Sequence, residues 1–282
     1  PSTDPVLVFH ELSEFTAWRN GLGATSTVGL VPTMGALHSG HASLIRDCAS
    51  SVDETVVSIF VNKIQFTNQS DFTHYPRTLE ADLQLAKDSG ATAVLVPSDD
   101  AMRPLLETHP LKAGPIGTMW EGRDRPGHFD GVLTVVNQLF ALVRPTRARF
   151  GEKDRQQLVI ITNWAQQSWP HVVIDRGPTV RDSDGLALSS RNVRLSVQGR
   201  SEATSINHSL RTVALAFSSG ATAATELMAI GRKHLSPKLD VHYLTVVDGA
   251  SLLSVDFAEK GSVVLLAASL DGVRLLDNIE LV

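Results

Sequence analysis

Short apolar runs alternate with helical periodicity through the first two-thirds of the chain. Thr27–Pro32 (TVGLVP), Glu54–Val61 (ETVVSIFV), Ala91–Pro97 (ATAVLVP), Ala148–Gly151 and His171–Asp175 (HVVID) read as buried strands. Between them Gly40–Ser51, Leu79–Ser89, Asp130–Val143 and Asp154–Gln167 read as helices, with Gly90 and Arg144-Pro145 as stop signals. Strands alternating with helices at this spacing require crossover connections and so predict a parallel sheet. Such a sheet binds ligands beyond the carboxyl ends of its strands, where strand order reverses. The last third differs: Ser196–Ser218 and Ala221–Ser236 read as helices, followed by strands over Asp240–Val247, Ser262–Ala268 and Val273–Asn278. That order predicts a smaller α+β domain. The expected architecture is therefore α/β, with one domain over residues 1–178 and a second over 179–282, divided near Gly177-Pro178.

Composition narrows the function classes. With 43% hydrophobic and 20% charged residues in 282, the chain can bury a large core and does not resemble a disordered one. A net charge of −5 supplies no basic stripe, so nucleic acid is not an expected partner. No apolar run reaches the length of a membrane span, and Pro1–Pro5 shows no basic region leading into an apolar one. The single cysteine, Cys48, excludes an internal disulfide and fits a cytoplasmic location. It follows Leu44 and Ile45 on a helical pattern, which predicts a buried structural thiol. His171 and His242 lie in apolar runs and read as structural, and no Cys/His cluster has metal-site spacing.

The polar motifs fall where a parallel sheet would place a site. In Val31–His41 a strand ends, Gly35 and Gly40 permit a tight turn, and His38 and His41 share one face at a helix start. Exposed amides there favour phosphate, and two imidazoles could stabilise the charge of a departing pyrophosphate. Gly21-Leu22-Gly23 loosely imitates a dinucleotide fingerprint, but it precedes a strand and reads as a helix end. Asn62 and Gln65 follow the second strand and offer neutral amides suited to hydroxyls and carboxylates. In Arg125–Gly131, His128 could line a pocket, and Asp130 could simply cap the next helix. In Phe150–Gln157, Lys153 could meet a phosphate, Asp154 a ribose or its own helix, and Gln157 lies one turn on. Ser189, Ser190 and Arg191 could cradle a triphosphate or cap the following helix.

Taken together, PTMGALHSGH, SIFVNKIQF, YPRTLEADL, RPGHFDGVLTVVNQLF, FGEKDRQQL and PTVRDSDGLALSSRN closely resemble the pantothenate synthetases, in that family's order and spacing. The match runs from about Val31 to Asn192, with a weaker echo in Arg274–Asn278 (RLLDN). The resemblance implies a Rossmann-like first domain, a smaller lid domain and a homodimer. It implies that pantoate attacks ATP to give pantoyl adenylate and pyrophosphate, and that β-alanine then displaces AMP. It places His38 and His41 at the phosphates, with His41 as proton donor. Met34, Gly35 and Gly40 would border the nucleotide, Gly151 and Val180 the adenine, and Asp154 the ribose. Lys153 would bind phosphate, Leu188 would contact ATP, and Ser189, Ser190 and Arg191 would form the triphosphate clamp. Asn62, Gln65, His128 and Gln157 would receive pantoate and β-alanine. Mg²⁺ would accompany ATP, with Asp82 a candidate contact. Because the histidines and the clamp lie in different domains, closure over ATP is expected. The chain departs from the family at Ser39, Lys63 and Arg155, where Glu, Pro and an aromatic are usual. An acceptor bearing a second phosphate would want more cations than Asn62, Gln65 and Gln157 provide. A silent nucleotide-binding relative could have lost His38, His41, Lys153 and Arg191 freely.

Overall fold

A computed structural model describes residues 5–282. Residues 1–4, part of the segment read above for a leader, lie outside it. The chain forms two compact units: the first runs to Glu152 and resumes over Ile160–Pro178, and the second joins Lys153–Val159 to Thr179–Val282.

The first unit holds six parallel strands: β1 (Leu7–Phe9), β2 (Val28–Thr33), β3 (Glu54–Ile59), β4 (Ala93–Leu95), β5 (Arg147–Gly151) and β6 (Val173–Gly177). Their order is β1-β4-β3-β2-β5-β6, so the parallel α/β expectation is met. From β2 the chain builds outward through β3 and β4, then returns to place β5 on the other flank of β2. Strand order therefore reverses between β2 and β5, and the loops after these strands lie where such sheets usually bind ligands. The second unit carries an antiparallel sheet, β7 (Asp240–Val247), β8 (Val263–Leu270) and β9 (Val273–Glu280), with helices Val197–Ser218 and Ala224–Lys233. Among the described residues no helix is long and apolar enough to cross a membrane.

Helix Ser39–Ala49 shows how sequence places the site. Ala42, Ile45 and Cys48 recur at a spacing of three and are buried, and Ile45 and Cys48 share one cluster with Val31, Val57 and Ile59 of β2 and β3. Each large aliphatic side chain so buried contributes about 1.5–3 kcal/mol. Cys48 is fully buried, and burial pushes its thiol above the ordinary range. The helix lies this close because residue 29 is glycine. A Cβ there would land inside the van der Waals radius of Cys48 Sγ and 3.0 Å from Val52 Cγ2. Gly29→Ala should accordingly lower stability by about 1–3 kcal/mol, the usual penalty of overpacking. A thermal melt of the variant beside Gly29→Ala/Cys48→Ala tests this, since the second change should restore most of the loss.

The expected helices and strands are present with ends shifted by a few residues. The helix end read at Gly21 closes Leu12–Gly21, whereas β1 and the helices Gln69–Thr73, Glu121–Asp124 and Asp99–Thr108 were not anticipated. The last carries Pro104 in its interior, a residue that reads as a helix breaker. His171 and His242 are exposed, not buried in their apolar runs, and His242 Nε2 meets Ser269 Oγ at 2.7 Å.

Candidate active site

The loop leaving β2 is built around one buried carboxylate. Gly35 and Ala36 both adopt positive φ, +80° and +50°. This turns the amides of Ala36 and Leu37 onto Asp82, which accepts them at 2.9 and 2.7 Å. Thr78 Oγ1 donates to the same carboxylate at 3.0 Å, and Asp82 is only 2% exposed. A Cβ at residue 35 would press on Asp82 at 3.0 Å and on Ile59 at 3.2 Å, so glycine is required for space as well as φ. Both oxygens of Asp82, the candidate Mg²⁺ contact, take part in holding the loop.

The loop delivers two histidines that cap the next helix reciprocally. Gly40 N donates to His38 Nδ1 at 3.1 Å, and His38 N donates to His41 Nδ1 at 3.3 Å. This is a capping box in which imidazoles replace the usual hydroxyl and carboxylate. The rings lie 4.1 Å apart, centroid to centroid. Because each Nδ1 accepts from a backbone amide, the proton of each neutral ring resides on Nε2. Local backbone geometry thereby sets two N–H donors side by side at a helix start.

A second cluster follows β3. Asn62 is 1% exposed and Gln65 8%, both far more buried than a surface turn would leave them. Asn62 Nδ2 donates to Gln65 Oε1 at 3.0 Å and to Gly131 O at 3.1 Å, and Gln65 Nε2 donates to Met34 Sδ at 3.1 Å. Asn62 Oδ1 is buried without a hydrogen-bond partner. Such an acceptor is costly in an interior unless a ligand or water fills it. Gln65 O meets His128 Nδ1 at 2.7 Å, while His128 Nε2 faces Arg125 Nη1 at 3.2 Å and Arg125 pairs with the buried Glu121 at 3.3 Å. His128 thus spends both ring nitrogens on protein groups and anchors the Gln65 segment. Asp130 does not cap its helix. That helix starts at His128, and Asp130 instead accepts from Ala113 N and Lys112 Nζ, each at 2.8 Å.

Sequence reasoning gave no role to Glu121, Arg125 or Gly131. The spacing of Glu121 and Arg125, one helical turn apart, was the available signal. Gly131 had none, because its role is contact: a Cβ there would sit 2.8 Å from Ile64 O and 2.9 Å from Gln65 N.

Gly151 ends β5 in the first unit, and the second unit holds Lys153, Asp154, Gln157, Val180, Leu188, Ser189, Ser190 and Arg191. Lys153 and Asp154 lie in the turn Glu152–Asp154, with their side chains 3.5 Å apart, and Gln157 sits in the first turn of helix Arg155–Ser168. Lys153 O accepts from Asn278 Nδ2 at 2.9 Å. Val180 and Leu188 close a loop by Leu188 N→Val180 O at 3.0 Å, with Gly185 at φ +89° in its turn. Ser189 Oγ then accepts from Arg191 N at 3.3 Å and opens the turn Ser190–Arg194. Arg155, one of the departures, is buried and pairs with Glu280 at 3.0 Å.

Fold and loops define an α/β protein that presents imidazoles and carboxamides beyond the carboxyl ends of a parallel sheet, where such sheets bind small ligands. The sequence model of the Pantoate-beta-alanine ligase family matches residues 7–280. The pantothenate synthetase of Bacteroides fragilis is 42% identical over 97% of this chain and 98% of its own. The crystal structure of pantothenate synthetase from Thermus thermophilus superposes with a TM-score of 0.92 at 36% identity, covering 98% of this chain and 99% of the other. The pantoate-beta-alanine ligase of Francisella tularensis, solved with beta-gamma ATP and beta-alanine, superposes with a TM-score of 0.82 at 31% identity over 98% and 97%. The chain is a ligase and belongs to the pantoate–β-alanine ligase family.

Proposed function

We propose that the chain joins pantoate to β-alanine in two steps. Pantoate carboxylate attacks the α-phosphorus of ATP, forming pantoyl adenylate and expelling pyrophosphate. The amine of β-alanine then attacks the acyl carbon and AMP leaves. The observation that carries the reading is the reciprocal histidine cap, which fixes a proton on Nε2 of both His38 and His41. Donors held in place before the reaction stabilise the growing charge on the leaving phosphates without reorganising.

In this reading Met34, Gly35 and Gly40 border the nucleotide and His41 supplies a proton to the leaving group. Gln65 and Gln157 bind pantoate with Asn62, whose unpartnered Oδ1 suits a substrate hydroxyl. His128 adjoins that substrate pocket and keeps Gln65 in place. Lys153 meets phosphate, Asp154 the ribose, and Gly151 and Val180 the adenine, while Leu188 contacts ATP and Ser189, Ser190 and Arg191 form the clamp. The nucleotide- and pantoate-binding domain of residues 1–178, the lid of 179–282 and closure over ATP belong to the reading. So do a homodimer and a cytoplasmic location. Mg²⁺ would come with ATP, held by phosphate oxygens and water. Among the described residues no group of three His, Cys, Asp or Glu offers it a cage, so no step is assigned to a protein-bound ion.

The test is pantoate-dependent exchange of labelled pyrophosphate into ATP without β-alanine, then AMP release on adding β-alanine. Exchange without pantoate, or AMP release without prior exchange, would overturn the two-step reading.

Lys63 also has a consequence for pantoate. It opens the turn Lys63–Gln65, a first position where proline's fixed φ is compatible, and its ammonium sits 5.9 Å from the Phe72 ring centroid. Stiffening the loop is worth about 0.4–1 kcal/mol, against about 0.5 kcal/mol for an exposed cation–π contact. Lys63→Pro should therefore lower the KM for pantoate modestly, by at most about twofold. An unchanged KM in steady-state assays would refute it.

A further inference from the structure

We infer that the dipeptide Asp277-Asn278 on β9 positions both phosphate-binding segments of the second unit. The inference rests on the reading of Lys153 and of Ser189–Arg191 given above. Asn278 Nδ2 holds the carbonyl of Lys153 at 2.9 Å. Asp277 grips Arg181 through two bonds, Nη1 to Oδ2 at 2.6 Å and Nη2 to Oδ1 at 2.8 Å. Arg181 Nη1 also donates to Gly185 O at 3.3 Å, inside the loop that leads to Ser189. Successive residues of a strand point to opposite faces. One strand thus holds the Lys153 turn from one face and the Arg181–Gly185 loop from the other.

Two features show that these residues are more than filler. Asp277 is 4% exposed and Asn278 8%, in a strand whose neighbours Leu275, Leu276 and Ile279 are aliphatic. Packing alone would favour apolar residues there, because a buried ion pair often stabilises less than a hydrophobic replacement. The bond from Asn278 also falls on the peptide group of Lys153 itself. A lysine has four rotatable bonds, so its ammonium can be aimed only if its backbone is fixed. The groups expected at the phosphates are thereby referred to one rigid strand, and Asn278 and Asp277 are positioning residues that touch no substrate.

A double-mutant cycle tests the link from Asn278 to Lys153, with Leu276→Ala as a packing control on the same strand. The readouts are kcat and KM for ATP in pantoate-dependent pyrophosphate exchange, and KM for β-alanine in the full reaction. Asn278→Ala should lower kcat/KM for ATP roughly tenfold, about the value of one hydrogen bond. It should leave the KM for β-alanine unchanged, and Leu276→Ala should shift the melting temperature without this split. In a Lys153→Ala background the Asn278 effect should nearly vanish, because the side chain it aims is gone. A roughly tenfold loss that persists in that background overturns the inference while leaving the role of Lys153 standing. Exchange untouched by Lys153→Ala overturns the reading of Lys153, and the inference with it. Should Asn278→Ala fail to fold, Asn278→Asp keeps the volume, loses the donor and carries the same cycle.

Discussion

His41→Ala should slow pantoate-dependent pyrophosphate exchange by about 10²–10³-fold, the usual cost of removing one preorganised donor to developing charge. The argument lies in the capping geometry. His41 Nδ1 accepts the His38 amide, so its ring cannot turn freely and its proton is fixed on Nε2. Removing the ring also removes one cap, worth about 1 kcal/mol of stability. That is small beside the roughly 5–15 kcal/mol of a typical domain. Activity and stability should therefore separate: the variant melts a few degrees lower but remains folded, with little exchange. His38→Ala should be similar, because it removes one of the two Nε2 donors and the ring that packs on His41, although His41 keeps its bond to the residue-38 amide. If exchange fell only severalfold in a folded His41→Ala protein, the histidine pair would not be where the phosphate charge develops.

Asp82→Ala should destabilise the protein by about 2–4 kcal/mol, since it strands two part-buried amides at about 1–2 kcal/mol each, while the exposed Thr78 hydroxyl turns to water. The loop holds Gly35 and Ala36 at positive φ only because Asp82 receives their neighbours' amides. Without it the turn should relax, and the histidine cap that begins three residues later should lose its register. Asp82→Asn retains one acceptor oxygen and should lose less. Denaturant melts of both variants, repeated across Mg²⁺ concentrations, check this. If added Mg²⁺ restored activity to Asp82→Asn, the carboxylate would be a metal contact and not a loop anchor.

The sequence made the sheet legible because its strands are β-branched runs set between helices of clear period. β1 was not legible: it is three residues long and Leu7 is exposed, so no alternation develops. Helix Asp99–Thr108 was hidden by Pro104. At the candidate site, the histidines and amides were visible as polar residues directly after strands. What could not be read was how they are held. Asp82 lies about forty-five residues from the amides it binds, Asn278 lies 125 from Lys153, and Gly131 matters only for the backbone it admits. Such supports depend on tertiary neighbours, which no local pattern encodes. The grouping of Lys153–Val159 with the second unit has the same cause, because contacts from β9 outweigh chain continuity with β5.

The burial of Cys48 makes the molecule a blank for labelling. The chain has no other thiol, and this one is sealed behind Gly29 with its ionisation suppressed. A maleimide dye should leave the native protein unmarked. A cysteine introduced at an exposed position of each unit would then accept a fluorophore without background. The distance between the units could be followed in solution as ATP is added, with the native cysteine left in place.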